Sequence, residues 1–270
     1  MSITKPAGEP SVWQELRTVG RRYLPWWFAV GVVVVLVGLL ITKVLESTAF
    51  ADADAGLDKW LEKQRTPTGL TVTHIGTLFG ETPTIVGLTT VTVIVFRLVF
   101  HRWRESVLLV IVVTGQSLIF LITTILIDRH RPPVQQIDDS PPTSSFPSGH
   151  TAAATTYWLG TALILAWHTR HVWLRWLLVV VGVVIPIGVA ASRMYRGMHY
   201  PTDTASSFLL GLALLFIAFH ALPLGEHGDQ EGRTDRSSPG PRARTRTDPA
   251  GSTADLADRS ALTARPTRTE

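Results

Sequence analysis

Three short polar clusters interrupt the apolar second half of the chain. They occupy residues 128–132, 147–150 and 192–203. Together they supply arginine, histidine, serine and aspartate, the side chains that bind phosphate oxygens and transfer protons in enzymes. Their composition therefore indicates phosphoryl chemistry, provided that the fold brings the three clusters together.

The arginines and the small residues of these clusters predict an anion site. Arg131 and Arg193 carry permanent charges on planar forks that match phosphate oxygens. Ser148 and Gly149 stand where an apolar stretch begins, and backbone N–H groups at a helix N-terminus point outward toward anions. A glycine at that point also permits close approach of a ligand.

Two histidines in the clusters can divide a displacement at phosphorus. One would attack phosphorus, and the other would donate a proton to the leaving oxygen. His199 and Asp203 are four residues apart and share a face if a helix has begun, while Pro201 suits a first helical turn. A carboxylate beside an imidazole fixes its tautomer and stabilises the cation that forms later. The pattern predicts His150 and His199 as the reacting pair.

Six apolar stretches, each about 20 residues long and sufficient to cross a bilayer, must position these clusters. They cover residues 26–45, 82–99, 106–127, 151–167, 174–191 and 204–222. We interpret all six as helices, because an open sheet cannot satisfy its backbone in lipid. The first is too long for a signal peptide and lacks an obvious cleavage site, so we expect it to be retained.

The predicted fold is all-α, a six-transmembrane-helix bundle with a disordered C-terminal tail. We assign residues 1–25 to a cytoplasmic N-terminal segment, 26–223 to the membrane domain and 224–270 to the tail. The tail is rich in Gly, Pro, Thr, Arg and Asp and has almost no large apolar side chain. It cannot bury enough surface to offset the loss of chain entropy.

The positive charges of the loops predict the orientation. Basic residues gather in the N-terminal segment and in the second and fourth loops: Lys5, Arg17, Arg21, Arg22, Arg97, Arg102, Arg104, Arg170 and Arg175. The first loop, on the opposite side, is acidic on balance. Because cytoplasmic loops carry the excess of Lys and Arg, we expect both termini in the cytoplasm and the three clusters outside the cell membrane.

Composition excludes several other classes. The 270 residues are 46% hydrophobic and 17% charged, and include no cysteine, which rules out disulfides, thiol catalysis and cysteine-ligated metals. The sequence pI of about 9.8 comes from arginines in loops and tail. We attribute this basicity to membrane-flanking charge and predict no nucleic-acid partner.

The clusters resemble the signature of the type 2 phosphatidic acid phosphatases (PAP2), which is KxxxxxxRP, PSGH and SRxxxxxHxxxD. Here the sequence has RP at 131–132, PSGH at 147–150 and SRMYRGMHYPTD at 192–203. The resemblance implies His199 as the nucleophile that forms a phosphohistidine, Asp203 as its partner and His150 as the general acid. It also implies phosphate binding by Arg131, Ser148, Gly149 and Arg193. No metal or cofactor is expected.

One position departs from the signature. Thr124 stands where the family has a lysine, seven residues before Arg131. If the third helix continued to Arg131, two turns would place both residues on nearly the same face. A threonine brings no charge, and the chain has no lysine nearby. We predict that Arg129, which is long and always charged, fills the place of the missing cation.

The sequence leaves the substrate open. The leading interpretation is a polyprenyl diphosphate such as undecaprenyl diphosphate, because an outward site suits a head group on the outer leaflet. The alternative is phosphatidylglycerol phosphate, phosphatidate or another phospholipid monoester. A vanadium haloperoxidase has a similar site, but those enzymes are largely soluble. A transporter or a catalytically silent membrane protein is favoured only by the missing lysine.

Overall fold

Each predicted apolar stretch is helical in the computed structural model, which describes residues 12–139, 143–222 and 224. The helices, in chain order, are α1 (Val12–Arg22), α2 (Leu24–Leu39), α3 (Ala49–Lys63), α4 (Pro67–Leu78), α5 (Thr82–Phe100), α6 (Arg104–Leu126), α7 (Gly149–Ala154), α8 (Gly160–His168), α9 (Val172–Tyr195) and α10 (Pro201–Ala221). The described ranges contain no strand. The all-α prediction is confirmed.

Six helical segments have the length of a membrane span. Five of them are continuous and strongly apolar: Leu24–Val44, Thr82–Phe100, Arg104–Leu126, Val172–Tyr195 and Pro201–Ala221. The first includes a π-helical turn, Leu40–Val44, that extends α2. The sixth is composite, because α7, a π-helical turn at Thr155–Leu159 and α8 follow one another without a break. The six-helix layout is therefore confirmed, with ends that differ by a few residues from the predicted ones.

The bundle is closed around α6, α8 and α10. These three helices contribute the fully buried apolar side chains Leu108, Leu109, Val112, Ile164 and Leu214. The outer surface is also apolar, with large exposed side chains such as Val33, Ile94, Val184 and Phe216. In water such a surface would be unfavourable, whereas lipid tails are as apolar as these side chains. The chain is thus a membrane protein.

The first loop contains two helices that the sequence analysis did not predict. α3 begins after Thr48, whose hydroxyl accepts a hydrogen bond from Phe50 N, and α4 begins after Thr66, which caps Gly69 N in the same way. Asp54 and Asp58, two of the charges that make the first loop acidic on balance, are buried on one face of α3. Because residues four apart share a helical face, both carboxyls point into the protein.

Two predicted segments extend beyond the described residues. Of the predicted tail, residues 224–270, all but Leu224 lies outside them, so its disorder stays a prediction. Of the N-terminal segment, residues 1–11 also lie outside. The rest of that segment contains α1, which ends with two basic residues, Arg21 and Arg22.

Candidate active site

The loop between α6 and α7 packs on the turn between α9 and α10. Arg131 Nη1 donates a hydrogen bond to the carbonyl oxygen of Met198 at 2.6 Å, and Ser148 N lies 3.5 Å from the carbonyl oxygen of Asp203. These contacts bring the three polar clusters together at one end of the bundle, here called the site end. Segments far apart in sequence therefore form a single polar centre.

His199 is buried at the middle of this centre. Its Nδ1 lies 2.7 Å from the carbonyl oxygen of Ser145. A carbonyl can only accept, so Nδ1 carries the proton and Nε2 presents a lone pair. Within the described ranges Nε2 has no hydrogen-bond partner. Burial lowers the pKa of His199, although Asp203 acts in the opposite direction. A neutral imidazole with a free Nε2 is the form that can act as a nucleophile.

Asp203 lies beside His199 but not in direct hydrogen bonding with it. Its Oδ2 is 3.8 Å from His199 Nδ1 and accepts a hydrogen bond from Tyr200 N at 3.0 Å. α10 begins at Pro201, so His199 precedes the helix. The expected alignment of His199 and Asp203 on one helical face is therefore absent. Ser145, which the sequence analysis missed, fixes the tautomer, and Asp203 supplies a nearby negative charge.

His150 is the second histidine of the site. It occupies the first turn of α7 and is partly buried. It lies within electrostatic range of Arg131, Arg193 and His199. Its ring makes no hydrogen bond to any other described residue, so both nitrogens are available to a ligand. This placement suits a residue that exchanges a proton with a substrate.

Arg193 is held by a carboxylate that the sequence did not reveal. Its Nη1 donates to Asp138 Oδ2 at 2.8 Å, while Arg196 Nε lies 2.9 Å from both carboxylate oxygens. Burial alone would raise the pKa of Asp138, but the hydrogen bond from Arg196 and the charge of Arg193 hold it below its ordinary value. Arg193 Nε is buried and unpaired among the described residues. Hence this buried donor remains for a ligand.

Ser148 and Gly149 start the composite helix beneath these arginines. The hydroxyl of Ser148 is fully buried and lies 3.0 Å from Thr151 Oγ1. A Cβ added at Gly149 would lie 2.9 Å from Phe120 Cε2. Glycine is therefore required for packing against that ring, in addition to the close phosphate approach that the sequence predicts.

Arg129 lies at the site end, but its guanidinium is already engaged. Nη2 donates to Asp54 Oδ2 at 2.7 Å, and Nη1 forms a short hydrogen bond with Asp203 Oδ1. The phosphate contact proposed for Arg129 stays a prediction. What the structure adds is a link between the first loop and the aspartate beside His199.

Thr124 lies in the last turn of α6, which ends at Leu126. The backbone is extended at Ile127, so the helix does not continue to Arg131 and the same-face argument for the two residues does not apply. Thr124 Oγ1 is buried and has no hydrogen-bond partner within the described part of the chain.

Three contributors escaped the sequence analysis for different reasons. Ser145 acts through its backbone carbonyl, which carries no sequence signal. Asp138 lies in an irregular loop where no spacing rule applies. Asp54 did carry a signal, because Asp54 and Asp58 are spaced to share one face of a helix. Among the described residues there is no cluster of histidines and carboxylates that could hold a metal ion.

Known proteins resemble this chain in sequence and fold. Residues 106–224 match the model of the PAP2 superfamily. Phosphatidylglycerophosphatase B of Bacillus subtilis (strain 168) is 28% identical over 192 residues, covering 66% of this chain and 88% of the relative. Undecaprenyl-diphosphatase of Sulfolobus acidocaldarius is 28% identical over 86 residues, covering 32% of this chain and 37% of the relative.

A solved structure shares the fold of this chain. The crystal structure of a transmembrane PAP2 type phosphatidylglycerolphosphate phosphatase from Bacillus subtilis superposes with a TM-score of 0.63 at 23% identity. The match covers 80% of this chain and 98% of that one. The family match begins at α6 and includes all three polar clusters, so residues 106–224 form a PAP2 superfamily region, and 80% of the chain shares the fold of a transmembrane PAP2 type phosphatase.

Proposed function

We propose that the chain hydrolyses a lipid phosphate or diphosphate in two displacements. His199 Nε2 attacks phosphorus, the bond between phosphorus and the leaving oxygen breaks, and His150 gives that oxygen its proton. Water, losing a proton to His150, then attacks the phosphohistidine, and the P–N bond breaks to release inorganic phosphate. The observation that carries this proposal is the buried His199, whose Nδ1 is held by Ser145 and whose Nε2 is free.

The phosphate would be held by groups that surround His199. Arg131 and Arg193 offer guanidinium donors, and Gly149 offers a backbone N–H group at the start of α7. Ser148, whose own N–H lies 3.5 Å from the carbonyl oxygen of Asp203, precedes it. The unpaired Nε of Arg193 supports this assignment, because a buried donor without a partner is costly unless a ligand satisfies it. Asp203 would stabilise the positive charge that His199 gains when it is phosphorylated.

Undecaprenyl diphosphate is the lipid that we propose first. The loop charges favour a site on the extracytoplasmic side, where a polyprenyl diphosphate head group would be exposed. Phosphatidylglycerol phosphate is a second candidate, favoured by the relative that aligns along 88% of its own length and is named phosphatidylglycerophosphatase B. The site residues contact phosphate and not the lipid chain, so both substrates suit the same chemistry.

Phosphate release from detergent-purified protein tests the proposal. Undecaprenyl diphosphate, phosphatidylglycerol phosphate and phosphatidate are compared at equal surface concentration. We expect release from at least one lipid, with the highest kcat/KM for the diphosphate. His220→Ala, which alters an exposed histidine near the far end of α10, serves as the matched control for His199→Ala. No release from any lipid by folded protein would refute the activity, and a higher kcat/KM for phosphatidylglycerol phosphate would reverse the substrate order.

Cysteine labelling tests the orientation. The chain has no cysteine, so single cysteines give a clean signal. We expect an impermeant thiol reagent to label Ser140→Cys, at a position outside the described residues, and not Arg170→Cys in intact cells. The reverse pattern would place the site in the cytoplasm.

A further inference from the structure

A carboxylate from the first loop reaches the residues that surround His199. Asp54 lies on α3, outside the stretch that matches the family model, and is 6% exposed. Its Oδ2 accepts hydrogen bonds from Thr202 Oγ1 at 2.6 Å and Arg129 Nη2 at 2.7 Å, and its Oδ1 accepts from Thr202 N at 3.1 Å. A buried carboxylate with three donors is fixed in position.

Arg129 connects this carboxylate with Asp203. Its Nη1 donates to Asp203 Oδ1 and, at 2.9 Å, to Thr202 Oγ1. Its Cζ lies 4.1 Å from the centroid of the Tyr200 ring, within the range of a cation–π contact. The side chain is 10% exposed. Because one planar guanidinium binds both carboxylates, the position of Asp203 depends on that of Asp54.

The two oxygens of Asp203 have different neighbours. Oδ1 binds Arg129, whereas Oδ2 lies 3.8 Å from His199 Nδ1. Arg129 therefore draws on the same carboxylate that must stabilise His199 when the ring becomes cationic. Asp54 balances the charge of Arg129. Without Asp54, the full attraction of Arg129 would fall on Asp203 and would weaken its effect on His199.

We propose that Asp54 is a positioning residue for the reaction: it holds Arg129, and Arg129 holds Asp203 beside His199. The first loop would then complete the catalytic centre that the family motifs begin. This inference rests on the proposed phosphohistidine chemistry. It also gives Arg129 a different task from phosphate binding, since its guanidinium is used by two carboxylates.

The test compares Asp54→Asn with a matched control. Asp58→Asn changes a carboxyl on the same face of α3, fully buried, whose two oxygens have no hydrogen-bond partner in the described ranges. For Asp54→Asn we expect kcat and the rate of phosphoenzyme formation to fall by about tenfold or more, the scale of a misplaced catalytic group. We expect KM and the melting temperature to change little. Asp58→Asn should keep the wild-type kcat.

A double-mutant cycle tests whether Asp54 acts through Arg129. The double variant Asp54→Asn/Arg129→Ala should be no slower than Arg129→Ala alone, because the second loss removes a link that is already broken. If Asp54→Asn does not fold, Arg129→Lys replaces it, since lysine keeps the charge but cannot bridge two carboxylates. It should show the same loss of kcat at unchanged KM.

Several outcomes would overturn the inference. Additive losses in the cycle would mean that Asp54 and Arg129 act separately. A raised KM with normal kcat in Arg129→Lys would indicate a phosphate contact instead. Normal phosphoenzyme formation by Asp54→Asn would exclude positioning while leaving the proposed function intact. If the wild-type protein forms no phosphohistidine at all, the proposed function itself fails.

Discussion

The two ends of α6 carry buried ionic clusters of similar composition but different arrangement. At the far end, Glu105 is fully buried, accepts a hydrogen bond from Arg102 Nε at 2.8 Å and lies 3.0 Å from His168 Nε2. His168 also stacks on Phe100, with ring centroids 4.2 Å apart. At the site end a carboxylate, an arginine and a histidine again lie together, as Asp203, Arg129 and His199.

The difference lies in which ring nitrogen is used. At the far end the Nε2 of His168 faces a carboxylate, and the stacked ring is fixed between helices. At the site end a backbone carbonyl accepts a hydrogen bond from Nδ1 of His199, and Asp203 Oδ2 lies 3.8 Å from the same nitrogen. The Nε2 of His199 remains free. A histidine, an arginine and a buried carboxylate thus make a structural link in one case and, in the function that we propose, a reactive centre in the other.

The largest expected difference in kcat is between the alanine variants of His199 and His168. His199→Ala should lower kcat by about 10³-fold or more and abolish any acid-labile phosphoenzyme, because the covalent step is lost. His168→Ala should keep most of the activity and lower the melting temperature, because it removes a packing and ion-pair contact. Phosphoenzyme trapping and thermal unfolding distinguish the two. Activity above about a tenth of wild type in His199→Ala would require another nucleophile.

His150 has no counterpart at the far end, and its role can be separated from binding. With an alkyl phosphate, His150→Ala should lose about 10²-fold or more in kcat, because the leaving oxygen needs a proton. With a nitrophenyl phosphate, whose leaving group needs no proton, the loss should be much smaller. The measurement is kcat of His150→Ala relative to wild type on each of the two substrates. Equal losses would assign His150 to binding or structure.

Replacing a buried carboxyl by its amide should change the melting temperature in opposite directions at the two ends of α6. Asp58 has no hydrogen-bond partner among the described residues, and burial together with Asp54 raises its pKa to about 8. In the unfolded chain this carboxyl has its ordinary pKa of 3.8, so Asp58 costs stability increasingly as pH rises from there to about 8. Asp58→Asn should therefore raise the melting temperature more at high pH than at low pH.

Thermal unfolding at about pH 5 and about pH 8 measures the effect. The partnered carboxyl at the far end provides the comparison, because Glu105→Gln should lower the melting temperature by removing an ion pair with Arg102. An identical shift of Asp58→Asn at both pH values would show that the carboxyl is not neutral in the folded protein.

Thr124 gives the smallest expected effect. A lysine at this position should leave the enzyme active or improve it, because a flexible charged stem could reach toward the phosphate from the last turn of α6. The measurement is KM together with inhibition by inorganic phosphate. If Thr124→Lys changes neither, the position does not face the phosphate.

Local sequence accounts for much of the fold. Six apolar stretches fixed the spans, and their ends could be placed within a few residues because span length is set by bilayer thickness. The helices of the first loop were missed because α3 mixes acidic with apolar residues, and Asp54 and Asp58 read as ordinary solvated charges. Their burial depends on packing against α9 and α10, which local pattern does not reveal.

The same division holds for the site. The sequence alone determined which side chains are available for phosphoryl chemistry, since residue type fixes charge, donors and nucleophilicity. Only the tertiary structure decided how they are paired. The tautomer of His199 depends on a backbone carbonyl that is 54 residues away in the sequence. The guanidinium of Arg193 is held by Asp138, 55 residues away, and that of Arg129 by Asp54, 75 residues away. Hydrogen bonds act over about 3 Å, and which distant groups come that close is a property of helix packing.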